Sequence, residues 1–485
     1  FKIAQYNHKK LRVCLLAGAL FVVKLFAMFR RIILKFRRKH DEAGGVKNLL
    51  LHTSLALMLT SGMSYFFGLL RDKIFAYRFG AGSVLDVYNA SFTIPDLFLA
   101  VFVTGAILAA FVPIFTELDE KSLKKSNVYM NQILSYGVGV LVVASVLFAI
   151  SLPWIVDFLV PGFDAEQKAQ YILLTRMMLI SPILFTISNT FGAVLISIRG
   201  FLWYGLAPVF YNIGIIFGVL VLVPNFGIAG LVCGTLIGVF LHILVRLIPT
   251  YKYGLRFRMN FSIDENLKET FRLMLPKMAQ LAAWQLLLIW FVRLASDLPE
   301  GSVTIYSFSR NFQSVPVSLI GIAIALAAFS KLSHLAADGE MAEFKKVTTT
   351  KGFRIVVATG VSAIGLAIAA PYIIRLLLGG GAFDDTAVAL TASMLMIYCI
   401  SIPLESLMHL LARAHYALKN TLRPSLIHIT SILVIVGSSQ LLVAEIGVYA
   451  IPASFSIGLA VQVGLLVASL RGLISSKPKL FSRRD

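Results

Sequence analysis

Charge is what this chain has least of. Only 14% of its 485 residues are Asp, Glu, Lys or Arg, where a soluble chain carries about 25%. Acid is scarcer than base, 24 residues against 44, which leaves a formal charge of +20. The three cysteines, Cys14, Cys233 and Cys399, each sit in an apolar run. Their spacing supports neither a disulfide framework nor a metal site, so they read as small buried hydrophobes. There is no HExxH, no phosphate-binding glycine loop, no GxSxG and no Cys/His cluster. No catalytic constellation, metal or cofactor is therefore expected. What is abundant is grease: 58% of residues are hydrophobic and mean hydropathy is +0.83. Such a chain is a polytopic, all-α membrane protein.

Residues 1–48 stand apart as a basic N-terminal segment. The run Val13 to Phe29 contains Lys24 and is flanked by basic residues on both sides. It reads as an additional membrane helix, with an interfacial amphipathic helix as the alternative. From Leu49 window length and breaks give twelve spans. Six lie in a first lobe, 49–260, at Leu49–Leu70, Asp86–Phe115, Asn131–Leu159, Tyr171–Ile198, Trp203–Val223 and Gly227–Pro249. Six lie in a second lobe, 261–485, which also carries a basic tail. They are Lys268–Leu294, Thr304–Lys331, Phe353–Leu378, Thr386–Ala412, Pro424–Ala444 and Gly447–Leu470.

Loop charge sets the orientation. One side carries Lys121, Lys124, Lys125, Arg199, Lys252, Arg256, Arg258, Lys345, Lys346, Arg413, Lys419 and Arg423, with the tail. The other carries Asp164, Glu166, Asp297, Glu300, Asp384, Asp385 and Glu445. The positive-inside rule then places the C-terminus in the cytoplasm. The basic charge is topological rather than a nucleic-acid footprint.

The two lobes echo one another. Asp86 to Pro113 is a span whose first half holds Asp86, Asn89, Ser91, Thr93, Pro95 and Asp96; Ile305 to Ser330 repeats its frame. Pro153-Trp154-Ile155 matches Pro371-Tyr372-Ile373, and Gly227 and Gly238 match Gly447 and Gly458, at a constant offset of about 220 residues. Six spans per copy is even, so the repeat is parallel, with a site expected between the copies near mid-membrane.

Charges within the spans are the candidate site residues. Arg71, followed by Asp72, is either a snorkelling or paired residue or part of a cationic cavity wall. Arg310 lies in the echo at the position of Phe92, has no acid beside it in sequence, and is assigned to the cavity. An intramembrane Arg costs about 2.5 kcal/mol or more unless it meets water or an anion. Arg293 with Asp297 at i+4 reads as an ion pair. Glu405, near His409 and Arg413, is the candidate for a coupling cation, or pairs along its own helix face. Asp86 reads as a helix cap, Asp96 as a deeper cavity residue, and Lys277 as an anion contact or a snorkelling residue.

These residues also carry a resemblance. Gly68-x-x-Arg71-Asp72, Phe79-Gly80-Ala81-Gly82 with Asp86, Ile94-Pro95-Asp96, Gly105-Ala106 and Phe111-Val112-Pro113 resemble the N-terminal signature of the MurJ/MviN lipid II flippases. Tyr306, Arg310-x-x-Gln313, Pro316 and Gly321-x-Ala323 resemble that family's eighth helix. Pro153-Trp154 with Pro161-Gly162-Phe163 is similar to its third-to-fourth helix region. The resemblance runs from Leu49 to about Leu470. It implies the multidrug/oligosaccharidyl-lipid/polysaccharide exporter fold, a V of two six-helix lobes around a cationic cavity. The implied partner is an undecaprenyl-pyrophosphate-linked disaccharide-peptide, moved from the inner to the outer leaflet of the bacterial inner membrane. Arg71 and Arg310 are implied to hold the pyrophosphate, with Asp86 and Gln313 in the same region. Tyr65, Leu99 and Thr104 stand where the family has Arg, Arg and Glu, and a basic tail follows the twelfth span in place of two further family helices. The alternatives are a flippase for another polyprenyl-linked saccharide, a cation-coupled multidrug-type antiporter working through Glu405, and a non-transporting envelope scaffold.

Overall fold

The computed structural model describes residues 46–104 and 111–476; the expected helix at Val13–Phe29 lies outside them. The described residues are helical nearly throughout and contain no strand. The first helix, α1 (Val46–Phe79), is followed by α2 (Ser83–Ser91) and α3 (Thr93–Leu99), which runs into a π turn at Ala100–Thr104. Then come α4 (Val112–Lys121), α5 (Leu123–Leu159), α6 (Ala165–Met178), α7 (Ile180–Ser197) and α8 (Phe201–Phe217). A second π turn, Gly218–Leu222, leads through α9 (Val223–Phe226) to α10 (Ile228–Tyr253). The second half has α11 (Glu265–Ser296), α12 (Ser302–Pro316), a third π turn at Val317–Ile322, and α13 (Ala323–Ala337). It closes with α14 (Met341–Leu377), α15 (Asp385–Cys399), α16 (Ser401–Ala417), α17 (Leu422–Ile446) and α18 (Ala450–Ser476). Each of the twelve expected spans falls on this helical order over its described residues.

Eight of the described helical stretches are long and apolar enough to cross a membrane, nine if the pair α15–α16, bent by 41°, is one span. One of the eight, Leu422–Ser475, is 54 residues long, about 81 Å of helix against a ~30 Å hydrocarbon core. It is two helices: Gly447, at φ 55°, breaks it, and α17 packs along α18. The outward faces say what surrounds the bundle. On α14, Phe353, Val357, Val361, Ile364, Ile368, Tyr372 and Leu376 form an exposed stripe at spacings of three and four; on α5, Val143, Leu147, Ile150, Trp154 and Phe158 do the same. A helical stripe of this size left in water would drive aggregation, and against lipid it is the required surface.

By compactness the chain forms two units. Among the described residues, one comprises those up to Ile74 with those of Val101–Ile150 and Leu174–Pro276; the other comprises Phe75–Ala100, Ser151–Leu173 and those from Lys277 on. In the first, α8 and α10 meet through glycine. A Cβ on Gly218 would sit 2.5 Å from the Gly234 Cα, and one on Gly230 would sit 2.7 Å from the Leu222 carbonyl carbon. Gly214 and Gly238 abut in the same way. Lipid offers no hydrophobic drive for helices to associate, so close backbone approach through small residues holds this pair. In the second unit, Leu332, Phe344, Ile355, Leu410 and Leu466 form a fully buried core between α13, α14, α16 and α18.

Backbone features recur at the offset seen in the sequence. Arg199 (φ 59°) and Lys419 (φ 58°) are the described non-glycine residues in the left-handed region. Gly227 (φ 57°) and Gly447 (φ 55°) begin corresponding helices, and the π turns at Ala100–Thr104 and Val317–Ile322 fall at matching places. The left-handed region is disfavoured for side chains, so its recurrence at Arg199 and Lys419 is informative. The glycine seam gives the first prediction. Gly234→Val is expected to cost ~1–3 kcal/mol by overpacking, while Gly360→Val on α14, where a side chain would meet nothing within 4 Å, leaves stability unchanged. Thermal unfolding in detergent measures both, and equal midpoints would show that the seam does not hold α8 to α10.

Candidate functional site

Three arginines in the apolar bundle are each compensated differently. Arg71, near the end of α1, bonds Asp72 Oδ1 through Nε (2.9 Å) and Nη2 (2.7 Å), and Asn212 Oδ1 on α8 through Nη1 (3.1 Å). Asn212 in turn donates to the Pro208 carbonyl at 3.1 Å, which fixes its amide. Asp72 is buried, while the Arg71 side chain keeps 23% of its surface open. The expected local pair therefore forms, joined by Asn212 from α8.

Arg310, on α12, finds the acid it lacks in sequence on α16. Its Nη1 and Nη2 meet the two oxygens of Glu405 at 3.1 and 3.0 Å, a bidentate pair. Gln313, one turn on, accepts from Arg310 and donates to Glu405 (2.9 Å) and to Ser401 Oγ (3.0 Å). The guanidinium lies 4.8 Å from the Phe455 ring centre and 5.9 Å from that of Trp284. Glu405, taken from sequence as a candidate cation ligand or a partner of His409, thus has both oxygens occupied by Arg310 and Gln313. A guanidinium clamped on one edge presents its other edge in a set direction, which suits a phosphoryl oxygen.

Asp86 caps a helix, but not its own. From α2 its Oδ2 accepts the Gly301 N–H (2.6 Å), and its Oδ1 accepts the Thr304 N–H (2.8 Å) and hydroxyl (2.6 Å). The carboxylate so meets the unsatisfied amides and positive end of α12. It is buried, and both oxygens are taken. Around it the same region is tied three more times. The Ser83 N–H donates to Glu300 (2.6 Å), the Ala382 N–H donates to the Tyr77 carbonyl (2.9 Å), and Gln167 donates to Ser83 Oγ (3.0 Å). Gly80, at φ 66°, stops α1 where a side chain would strike the Ala382 backbone, so both its conformation and its space demand glycine.

The remaining expected residues are dispersed. Asp96 is an exposed residue of α3, and its backbone carbonyl accepts from Gln285 on α11 at 3.1 Å. Arg293 turns to the Phe158 carbonyl and ring rather than to Asp297. The side chains of Lys277 and Thr104 lie outside the described residues. One buried cation escaped the sequence reading. Arg246 on α10 bonds the Ser188 carbonyl (3.1 Å) and Asn189 Oδ1 (2.8 Å), stacks 4.7 Å from the Tyr204 ring centre, and presses on Gly192. Its signal was available as the one arginine inside the apolar run 228–249. Among the described residues no group of three or more His, Cys, Asp or Glu is placed to hold a metal ion.

A bent, helical, multi-span bundle with charges satisfied inside it defines a membrane protein of the transporter class, and solved structures agree on the fold. A lipid II flippase MurJ in an inward closed conformation matches with TM-score 0.74 at 22% identity, over 86% of this chain and 87% of that one. An inward-facing multidrug resistance MATE family transporter of the MOP superfamily matches with TM-score 0.72 at 14% identity, over 88% and 99%. In sequence, the probable lipid II flippase MurJ of Thermotoga maritima is 29% identical over 372 residues, 76% of this chain and 75% of its own. That of Haemophilus influenzae is 28% identical over 451 residues, 87% and 86%. The family described as lipid II flippase MurJ matches residues 75–479, and the chain belongs to that family.

The Arg310–Glu405 pair is testable directly. Arg310→Gln leaves Glu405 buried without its cation and is expected to cost ~3–5 kcal/mol. Adding Glu405→Gln to Arg310→Gln recovers most of that loss. Unfolding midpoints of wild type, single and double variants give the coupling, and additive losses would show the two groups to be independent.

Proposed function

We propose that this chain is a lipid II flippase of the bacterial inner membrane, with its C-terminus in the cytoplasm. Its substrate is an undecaprenyl-pyrophosphate-linked peptidoglycan precursor, moved from the inner to the outer leaflet by alternating access of two repeated six-helix lobes. Membership of the MurJ family is the observation that carries the reading. The recurrence of left-handed residues and π turns about 220 residues apart supports the repeat.

In this reading Arg71 and Arg310 are the cations that meet the pyrophosphate, and Gln313 steadies Arg310. Phosphoryl oxygens favour the planar, permanently charged fork of arginine. Asp96 and Lys277 are assigned to the same lining. Asp86 holds α2 against the start of α12, and opening toward the outer leaflet separates that contact. The work is transport rather than catalysis: the substrate changes leaflet, not bonds. A cation-coupled multidrug antiporter would need a buried carboxylate ready to take its ion. Glu405 is neutralised by Arg310, so a monovalent cation reaches it only when that pair opens.

Complementation of a flippase-depleted bacterial strain, with precursor leaflet assayed, tests the assignment. Wild type is expected to restore growth and outer-leaflet precursor. Arg71→Ala and the folded Arg310→Gln/Glu405→Gln double variant are expected to lose at least about tenfold in transport, on the order of one charge-assisted contact each. Full rescue by both would remove the arginine contacts, and failure of well-expressed wild type would remove lipid II as the substrate.

A further inference from the structure

Between α10 and α11 the chain does not form a simple loop. Gly254 ends α10 at φ 111°, and residues 255–264 then run extended along the first turns of α5. Backbone amides of alternate residues are captured by one face of that helix. The Arg256 N–H donates to Asn127 Oδ1 (2.9 Å), Arg258 N–H to Asn131 Oδ1 (2.9 Å), and Asn260 N–H to Ser135 Oγ (2.8 Å). The acceptors are four residues apart, a straight row on a helix. Tyr136 and Gln132 donate to the carbonyls of Phe261 (2.7 Å) and Ser262 (3.2 Å). The segment is thus an extended strap held by polar side chains of α5.

An extended strand alternates its side chains between two faces. Here one face is Phe257, Met259, Phe261 and Ile263, all exposed, from 54% at Phe257 to 74% at Met259. The other is Arg256, Arg258, Asn260 and Ser262. A row of four large apolar side chains is a liability in water. The place of the strap answers it. At 37 residues, α5 is about 55 Å long and overhangs a ~30 Å core by ~12 Å at each end. Asn127 and Ser135 lie ~6 and ~18 Å of helical rise from the start of α5 at Leu123, so the strap crosses the acyl boundary from the headgroup zone.

We propose that residues 255–264 are an amphipathic extended strap seated in the membrane interface. Phe257, Met259, Phe261 and Ile263 enter the lipid, and Lys252, Arg256 and Arg258 face anionic phospholipid headgroups. The charges complement such a surface, and one apolar face with one basic face is what an interfacial element requires. Because this strap joins the two halves of the sequence, its seat in the lipid ties the connection between them to the membrane. The inference concerns a lipid site alone and does not depend on which molecule the protein transports.

Single cysteines at 256 through 263, in full-length protein lacking Cys14, Cys233 and Cys399, carry an environment-sensitive fluorophore in nanodiscs. The expected result is a period of two. Labels at 257, 259, 261 and 263 are blue-shifted and quenched by spin-labelled acyl chains, more deeply from 257 toward 263; labels at 256, 258, 260 and 262 are quenched by aqueous iodide. The shift at 259 is larger in phosphatidylglycerol than in phosphatidylcholine discs, and Arg256→Gln with Arg258→Gln abolishes the difference. Iodide access without alternation would overturn the proposal, as would protection indifferent to headgroup charge. Protection seen only in native membranes and lost in nanodiscs would indicate a protein partner and overturn it equally.

Discussion

One buried carboxylate, that of Asp86, organises the contact between α2 and the start of α12. Three donors from Gly301 and Thr304 converge on it, all from the first turn of α12. Those amides have no partner inside their own helix, and the helix end is positive, so the acid and the helix satisfy one another. Away from water the exchange is stringent. Without Asp86 the α12 amides are orphaned, and without α12 the carboxylate is an unpaired charge. The glycine stop at Gly80 and the Ser83–Glu300 and Tyr77–Ala382 contacts all lie beside this junction, and their registers follow from it.

The same accounting explains how cations persist in a bundle faced with lipid. Arg310 is neutralised by a carboxylate on another helix, Arg71 by the residue next to it, and Arg246 by carbonyls and an aromatic face. Only the first two retain open surface, 18% and 23% of the side chain. That difference separates a cation serving the fold from one that also meets an anion. Arg246 fastens α7 to α10, while Arg71 and Arg310 are the cations assigned to a pyrophosphate in the proposed transport.

The spans were legible because they are long, apolar and interrupted by Gly, Pro and charge. The echo at Ile305–Ser330 was legible because both copies keep a polar half. The Arg310–Glu405 pair was not, since 95 residues separate its partners and no periodicity links α12 to α16. Asp86 was readable as a cap, but its helix could not be identified from local sequence, because the donors come from 215 residues away. By charge alone the segment 255–264 reads as a basic loop. Its alternation of Phe257, Met259, Phe261 and Ile263 with polar residues is plain in the sequence, yet only the row Asn127, Asn131 and Ser135 shows that the segment is held straight.

The central claim is that the α2–α12 junction holds one state of a transport cycle and must part in the next. Ser83 and Glu300 touch across it without forming the cap. In a cysteine-free background, Ser83→Cys with Glu300→Cys, bridged by a short reducible thiol crosslinker, can be assayed for movement of the lipid-linked precursor to the outer leaflet. The account predicts that the bridged protein is arrested and that reduction restores transport. Undiminished transport by the bridged protein would contradict it.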